Sequence, residues 1–166
     1  MRSPAPWKLT DKEVVALRLA GLDIAGALLF KPQRTEFEDV VVNALRLYAR
    51  SSLEGETTDR VINILAALES LPVRDASEPI QQNLGERLAF YLADTANDRM
   101  RIVATLRGVY GGRSSFLHRG KVPGDNPELK NFLGDAWKLH VKVVRAASHF
   151  ATKRDFINSI EAEKFA

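Results

Sequence analysis

The sequence predicts an all-α fold, an up-and-down bundle of about six to seven helices. Three observations carry that reading. Apolar residues recur at three- and four-residue spacing through most of the chain, which is helical periodicity. Helix-start patterns of the Thr-x-x-Glu type stand at Thr10–Glu13 and Thr35–Glu38. No segment keeps strand period, since Val40-Val41-Val42 and the valines from Val141 to Val144 lie inside helical patterns.

Residues 1–9 read as a flexible, Pro-rich leader, with Trp7 able to dock on the core, and residues 10–166 as a single helical domain. The first helix follows Thr10, carries Val14, Leu17, Leu22, Ala25 and Leu29, and ends near Lys31-Pro32. Gly21 and Gly26 weaken it enough for a break into two pieces. The next helix, opened by Thr35, buries Phe37, Val41, Ala44, Leu45 and Tyr48 and stops before Gly55. A third is expected to be capped by Thr58, to carry Val61, Ile62, Leu65 and Leu68, and to close at Pro72.

Ser77-Glu78-Pro79 opens a fourth helix with proline in its first turn, where the missing N–H costs nothing. It presents Ile80, Leu84, Leu88, Tyr91 and Leu92. Asn97 or Asp98 is expected to cap a fifth, with Met100, Val103, Leu106 and Tyr110 inward. Residues 121–126 read as a loop. Pro127 restarts a helix with Leu129, Phe132, Leu133, Trp137, His140, Val144 and Ala147, and a last short helix after Thr152 carries Phe156 and Ile160.

Composition bounds the function. The 166 residues are 45% hydrophobic and 27% charged, an ordinary globular balance with room for a hydrophobic core. A net charge of +3 and a pI near 9.3 permit a polyanionic partner without demanding one. The absence of cysteine removes disulfides, thiolate metal sites and cysteine nucleophiles, and suits a reducing compartment. No stretch approaches ~18 consecutive apolar residues, so no membrane span is expected. The chain reads as cytoplasmic.

The chemistry-bearing stretch is Tyr110-Gly111-Gly112-Arg113-Ser114-Ser115-Phe116-Leu117-His118-Arg119-Gly120. Arg113 supplies a permanent charge with a planar fork of donors. His118 is a side chain able to give or take a proton near neutral pH. Five steps of about 100° place the two about 140° apart on an ideal helix, off a common face. They converge on one phosphate only if the helix bends or ends at the flanking glycines, or if a second copy of the segment faces the first. Arg99, Arg101, Arg107, Arg113 and Arg119 recur nearby, either as a solvated face or as a track for phosphates. Plainer roles exist for the pair as well: His118 can serve a helix C-terminus and Arg113 a surface ion pair. His140 reads as a packed core-edge residue and His149 as a surface one. The three histidines form no metal-ligand spacing, and Gly111-Gly112 lacks the lysine and hydroxyl of a phosphate-binding loop.

Arg113-Ser114 followed by His118 and Gly120, with Tyr110 ahead of them, resembles the signature of HEPN domains, specifically the Apea-like (Abi-like) branch. Leu68-Glu69-Ser70-Leu71 resembles that family's Leu-Glu-x-Leu helix end, and Gly85-Glu86-Arg87-Leu88-Ala89 its helix with Glu-Arg, then Leu or Val, then Ala. The resemblance covers roughly residues 35 to 150. This chain departs from it by inserting Arg119 between His118 and Gly120, and by carrying Ser114 where toxin members often have Asn, Asp or His.

The resemblance implies a HEPN-like helical fold and a metal-independent endoribonuclease of toxin or phage-defence type. It would act as a homodimer whose motifs meet at the interface. Cleavage by the RNA's own 2′-OH needs a base and an acid, and two chains supply two histidines. Products would be 2′,3′-cyclic phosphate and 5′-OH ends. His118 would be the acid/base and Arg113 the phosphate stabiliser. Ser114, Arg119, Tyr110 and Arg107 would be auxiliary or phosphate-binding residues. No cofactor is implied, and the expected partners are RNA, a second copy, and an antitoxin or other protein. Glu69 and Glu86 are either surface residues or braces for an arginine of the site. The same motif also fits a non-catalytic HEPN module that binds nucleic acid, a nucleotide or a protein, or a purely structural interaction domain.

Overall fold

The chain is all-α. The computed structural model describes residues 8–75, 77–119 and 127–165, with residues 112–119 described as helix backbone alone. Within them run eight α-helices: α1 (Asp11–Leu19), α2 (Leu22–Phe30), α3 (Glu36–Ser51), α4 (Thr57–Ser70), α5 (Ile80–Leu92), α6 (Ala96–Arg119), α7 (Pro127–Ala146) and α8 (Lys153–Glu163). A 3-10 turn at Ala147–His149 joins the last two. No described helix is long and apolar enough to cross a membrane. Trp7 and the loop 121–126 lie outside the described residues.

The helix starts follow local hydrogen bonding. Thr10, Thr35 and Thr152 each accept from the backbone N–H three residues on, and Glu13, Glu38 and Asp155 reach back to the threonine N–H. Two expected caps moved. Helix α4 starts at Thr57 after Glu56, so Thr58 lies within its first turn rather than capping it. At α6 the cap is Thr95, whose hydroxyl accepts from the Asp98 N–H (3.2 Å) and donates to the Asp98 carboxylate (2.6 Å). Asp98 is thus the cap's partner, and Asn97 has no capping role. Pro79 stands one residue ahead of α5.

The first helical stretch does break, at Gly21. Its φ of +102° is a left-handed conformation that a side chain disfavours, and it lets the chain turn against Val144 and Arg145 of α7. Gly26 stays inside α2. The pair α1–α2 contributes little to the core: Leu28 is its buried hydrophobic residue, while Leu22 and Leu29 are exposed. Arg145 donates to the Leu19 carbonyl and so holds the end of α1. The Lys31 ammonium meets the buried Glu38 carboxylate at 2.6 Å and joins α2 to α3.

Helices α3 to α8 close around one buried cluster that includes Phe37, Leu65, Leu68, Leu84, Leu88, Phe132, Leu139 and Phe156. The rings of Phe37, Phe150 and Phe156 meet at 4.7–5.4 Å. Pairing is antiparallel along the line α5–α6–α7. Gly85 lies against Val103 and Leu106, and the Phe90 ring carries Arg99. Arg101 reaches Asp135, and Gly108 faces Glu128. Helix α8 packs on α5 and α3. On α6 and α7, three expected core residues are outside: Met100 is 63% exposed, Trp137 45% and Leu133 36%. The buried stripes run instead through Ile102, Leu106 and Val109 on α6 and Phe132, Ala136, Leu139 and Val143 on α7.

Helix α6 runs on to Arg119, straight through Gly111-Gly112, so it does not end there. A Cβ on Gly111 would meet no described residue within 4 Å. Gly111→Ala is therefore expected to raise stability by about 0.5–1 kcal/mol, the helix-interior difference between the two residues. A thermal melt checks this, and a lowered midpoint would contradict a regular helix at that point.

Candidate functional site

The segment that carries the Arg113/His118 pattern is the last part of α6. Three contacts from neighbouring helices hold the helix up to that point. Arg101 makes a bidentate pair with Asp135 of α7 (2.8 and 3.0 Å), and Asp135 is buried. Such a planar fork fixes direction as well as distance. Gly108 leaves room for Glu128: a Cβ there would stand 2.7 Å from a carboxylate oxygen of that residue. Tyr110, half-buried, donates its hydroxyl to the Glu69 carboxylate at the end of α4.

The segments behind the family resemblance separate into distinct physical roles. In Leu68-Glu69-Ser70-Leu71, both leucines are fully buried and Glu69 holds Tyr110. Glu69 therefore braces a tyrosine of the motif among the described contacts. In Gly85-Glu86-Arg87-Leu88-Ala89, Arg87 is buried and tied to Glu78 and Glu161, while Glu86 faces a groove and pairs with Lys164 at 3.3 Å.

Arg113, Ser114, His118 and Arg119 share one unbroken helix, and their side chains lie outside the described residues. Five residues along a continuous helix put the Arg113 and His118 positions about 7 Å apart along the axis and about 140° apart around it. Of the two remaining sequence-predicted residues, Tyr110 is bound to Glu69. Arg107 is exposed and makes no hydrogen bond or ion pair with a described residue.

The arginine series does not form one free track. Arg101 is spent on Asp135. Arg99 donates to the Ala93 carbonyl at 2.9 Å and lies 4.2 Å over the Phe90 ring. Arg107 alone, of the three described members, points to open solvent space between α5 and α6, where Gln81, Gln82 and Glu86 also stand. Sequence spacing could not reveal that grouping, because it depends on how α5 lies on α6.

The chain matches no protein-family model, no curated protein and no solved structure. The residues and their geometry therefore carry the functional argument. Among the described residues, no group of three or more His, Asp or Glu side chains is placed to hold a metal ion.

The other two histidines stand apart from the motif. His149 is exposed in the 3-10 turn. His140 is buried, stacked 4.3 Å from Tyr48, with Nδ1 at 2.7 Å from the Ala136 carbonyl and Nε2 without a hydrogen-bond partner. Burial pushes its pKa below the ordinary imidazole value, against the pull of the Ala136 and Ala44 carbonyls. A base whose folded pKa is depressed costs stability once the unfolded chain begins to bind the proton. Stability is therefore expected to fall as pH drops below about 6.5. His140→Phe, which keeps a ring beside Tyr48, is expected to flatten that loss. Urea midpoints for both proteins between neutral pH and about pH 5 check it, above the range where carboxylates titrate. Equal slopes would refute it.

Proposed function

We propose that the chain is a HEPN-type, metal-independent endoribonuclease of toxin or phage-defence kind, acting in the cytoplasm as a homodimer. The observation that carries the reading is the Arg113–His118 pattern at the end of one continuous helix. On such a helix a single chain does not bring the two positions to one face. A second copy of the segment would complete the constellation: two histidines as base and acid, and two arginines around the phosphate. The RNA 2′-oxygen attacks phosphorus as one histidine takes its proton, and the P–O5′ bond breaks as the other protonates the leaving oxygen. Arg113 and its mate stabilise the charge that builds on the phosphoryl oxygens. Tyr110, held by Glu69, orients the helix ahead of Arg113. Ser114 is an orienting hydrogen-bond partner and Arg119 an auxiliary phosphate contact. An antitoxin would act by covering this end of α6.

The test is cleavage of a mixed RNA pool in excess EDTA. Cut ends bearing 2′,3′-cyclic phosphate and 5′-OH are expected from wild type, and none from His118→Ala. Loss of wild-type cleavage in EDTA, or full cleavage by His118→Ala, would overturn the mechanism. Salt-dependent RNA binding without any cleavage would favour a second reading, a non-catalytic RNA-binding module, which the free Arg107 also suits.

A further inference from the structure

Beside the packed contact of Val103 and Leu106 with Gly85, the outer edge of the α5–α6 pair is lined by polar and charged side chains. A groove of about 630 Å³ lies between the two helices, bounded by Ile80, Gln81, Gln82, Glu86, Val103 and Arg107. A shallower hollow continues it past Ala104 to Phe90 and Met100. Its polar groups are of three kinds. Arg107 is a cation with no partner among described residues. Glu86 accepts from the Gln82 amide at 3.0 Å and lies 3.3 Å from Lys164, leaving further lone pairs. Gln81 and Gln82 are exposed amides.

The groove is also in register with the motif. On α6, the positions of Met100, Val103, Arg107, Gly111, Ser114 and His118 fall within about 40° of one line along the axis, whereas Arg113 lies about 120° from it. Arg107 and His118 stand about 16 Å apart on that line. A chain molecule held at Arg107 can therefore follow one helix face to the His118 position.

We infer that the α5–α6 groove is a subsite for one nucleotide of single-stranded RNA, a few residues along the strand from the bond that is cut. This rests on the ribonuclease reading for its direction but not for its chemistry. Arg107 takes the phosphate. Glu86, with Gln82 beside it, accepts from an exocyclic amine on an unstacked base, as single-stranded RNA displays its edges. Adenine, cytosine and guanine carry such an amine and uracil does not, so the groove disfavours uracil. The carboxylate is the reason to expect base selection: near phosphates alone it would only repel.

The experiment uses the full chain and fluorescein-labelled, fully 2′-O-methylated oligonucleotides of A, C or U. These cannot be cleaved, because the attacking hydroxyl is blocked. Arg107→Ala is expected to weaken binding about tenfold, one lost charge-assisted contact. It should also make the salt dependence shallower by about 0.7 in slope. Glu86→Gln is expected to leave A and C binding within about threefold and to narrow the deficit of U, since an amide can pair with uracil's edge. Arg46→Ala on α3 serves as a control for diffuse charge. If Arg46→Ala weakens binding as much as Arg107→Ala, or if wild type binds U as well as C, the subsite is overturned. A wild type that cleaves RNA while Arg107→Ala binds normally overturns the subsite and spares the nuclease reading. Arg107-dependent binding by a wild type that never cleaves does the reverse.

Discussion

Replacing Arg87 with alanine is expected to lower the free energy of unfolding by about 3–5 kcal/mol, the cost of breaking a buried charge pair from one side. Arg87 is 3% exposed. Its Nε donates to Glu161 at 2.7 Å, and one terminal nitrogen donates to both Glu78 and the Pro72 carbonyl at 2.7 Å. One side chain thus joins α5, α8 and the connection between α4 and α5. Removing it takes the charged donor from two carboxylates and a carbonyl, leaving Glu78 to the Arg74 N–H and Asn83 and Glu161 to Lys164. Against a total stability of about 5–15 kcal/mol for a domain, that loss is large. Urea denaturation of Arg87→Ala at neutral pH measures it. Arg87→Lys is expected to recover only part, because an ammonium cannot present a fork to partners in several directions.

The same network sets an acid limit. Burial alone would raise the Glu78 pKa, but the Arg74 backbone N–H, the Asn83 amide and Arg87 outweigh it, and the value is lowered. Glu161 is lowered in the same way, with Arg87 and Lys164 overcoming burial. A carboxylate depressed in the folded state gives stability that is present above its unfolded pKa and lost as pH falls toward the folded value. The loss through these two groups therefore lies below about pH 4.5, separate from the histidine effect at higher pH. In Arg87→Ala that acid-limb slope should shrink. A free energy of unfolding for Arg87→Ala within about 0.5 kcal/mol of wild type would mean that the buried cluster relaxes to water.

The parts of the fold that could be read from the chain are those fixed by neighbours in sequence. Thr10, Thr35 and Thr152 cap because each has its carboxylate partner three residues on. A break was foreseeable because Gly21 and Gly26 both weaken the helix, and it falls at Gly21, which takes a positive φ. Met100, Leu133 and Trp137 misled because apolar spacing marks a stripe without saying how wide it is. On α7, His140 is packed as its place on the apolar stripe suggested, against Tyr48, whereas the burial of Asp135 was not legible because it depends on Arg101 of α6. At the site, Arg113 and His118 stand out by residue type, and Tyr110 by proximity. The Tyr110–Glu69 bond joins residues 41 apart, and no local pattern encodes it. Arg87 is the clearest example. In sequence it sits among Gly85, Leu88 and Ala89 as an ordinary helix arginine, and only the approach of α8 shows why it is buried.

On the proposed ribonuclease reading, His118→Ala is expected to reduce RNA cleavage by about 10²–10⁴-fold, the usual worth of a positioned general acid or base. Arg113→Ala should cost about 10²–10³-fold, as loss of one preorganised donor to a developing oxyanion does. Because both act on one transition state, the double variant should be little worse than the weaker single one. Mixing separates a composite site from a self-sufficient one. If each chain worked alone, diluting wild type with His118→Ala protein, at fixed total concentration and after subunit exchange, would lower the rate in proportion to the wild-type fraction. If the two copies of α6 build one site, mixed pairs hold a single histidine and lack either the base or the acid. The rate should then follow the square of the wild-type fraction. A linear dependence would mean that one helix end suffices. Two positions about 140° apart on a regular helix could do that only if the chain departs from helical geometry when RNA binds.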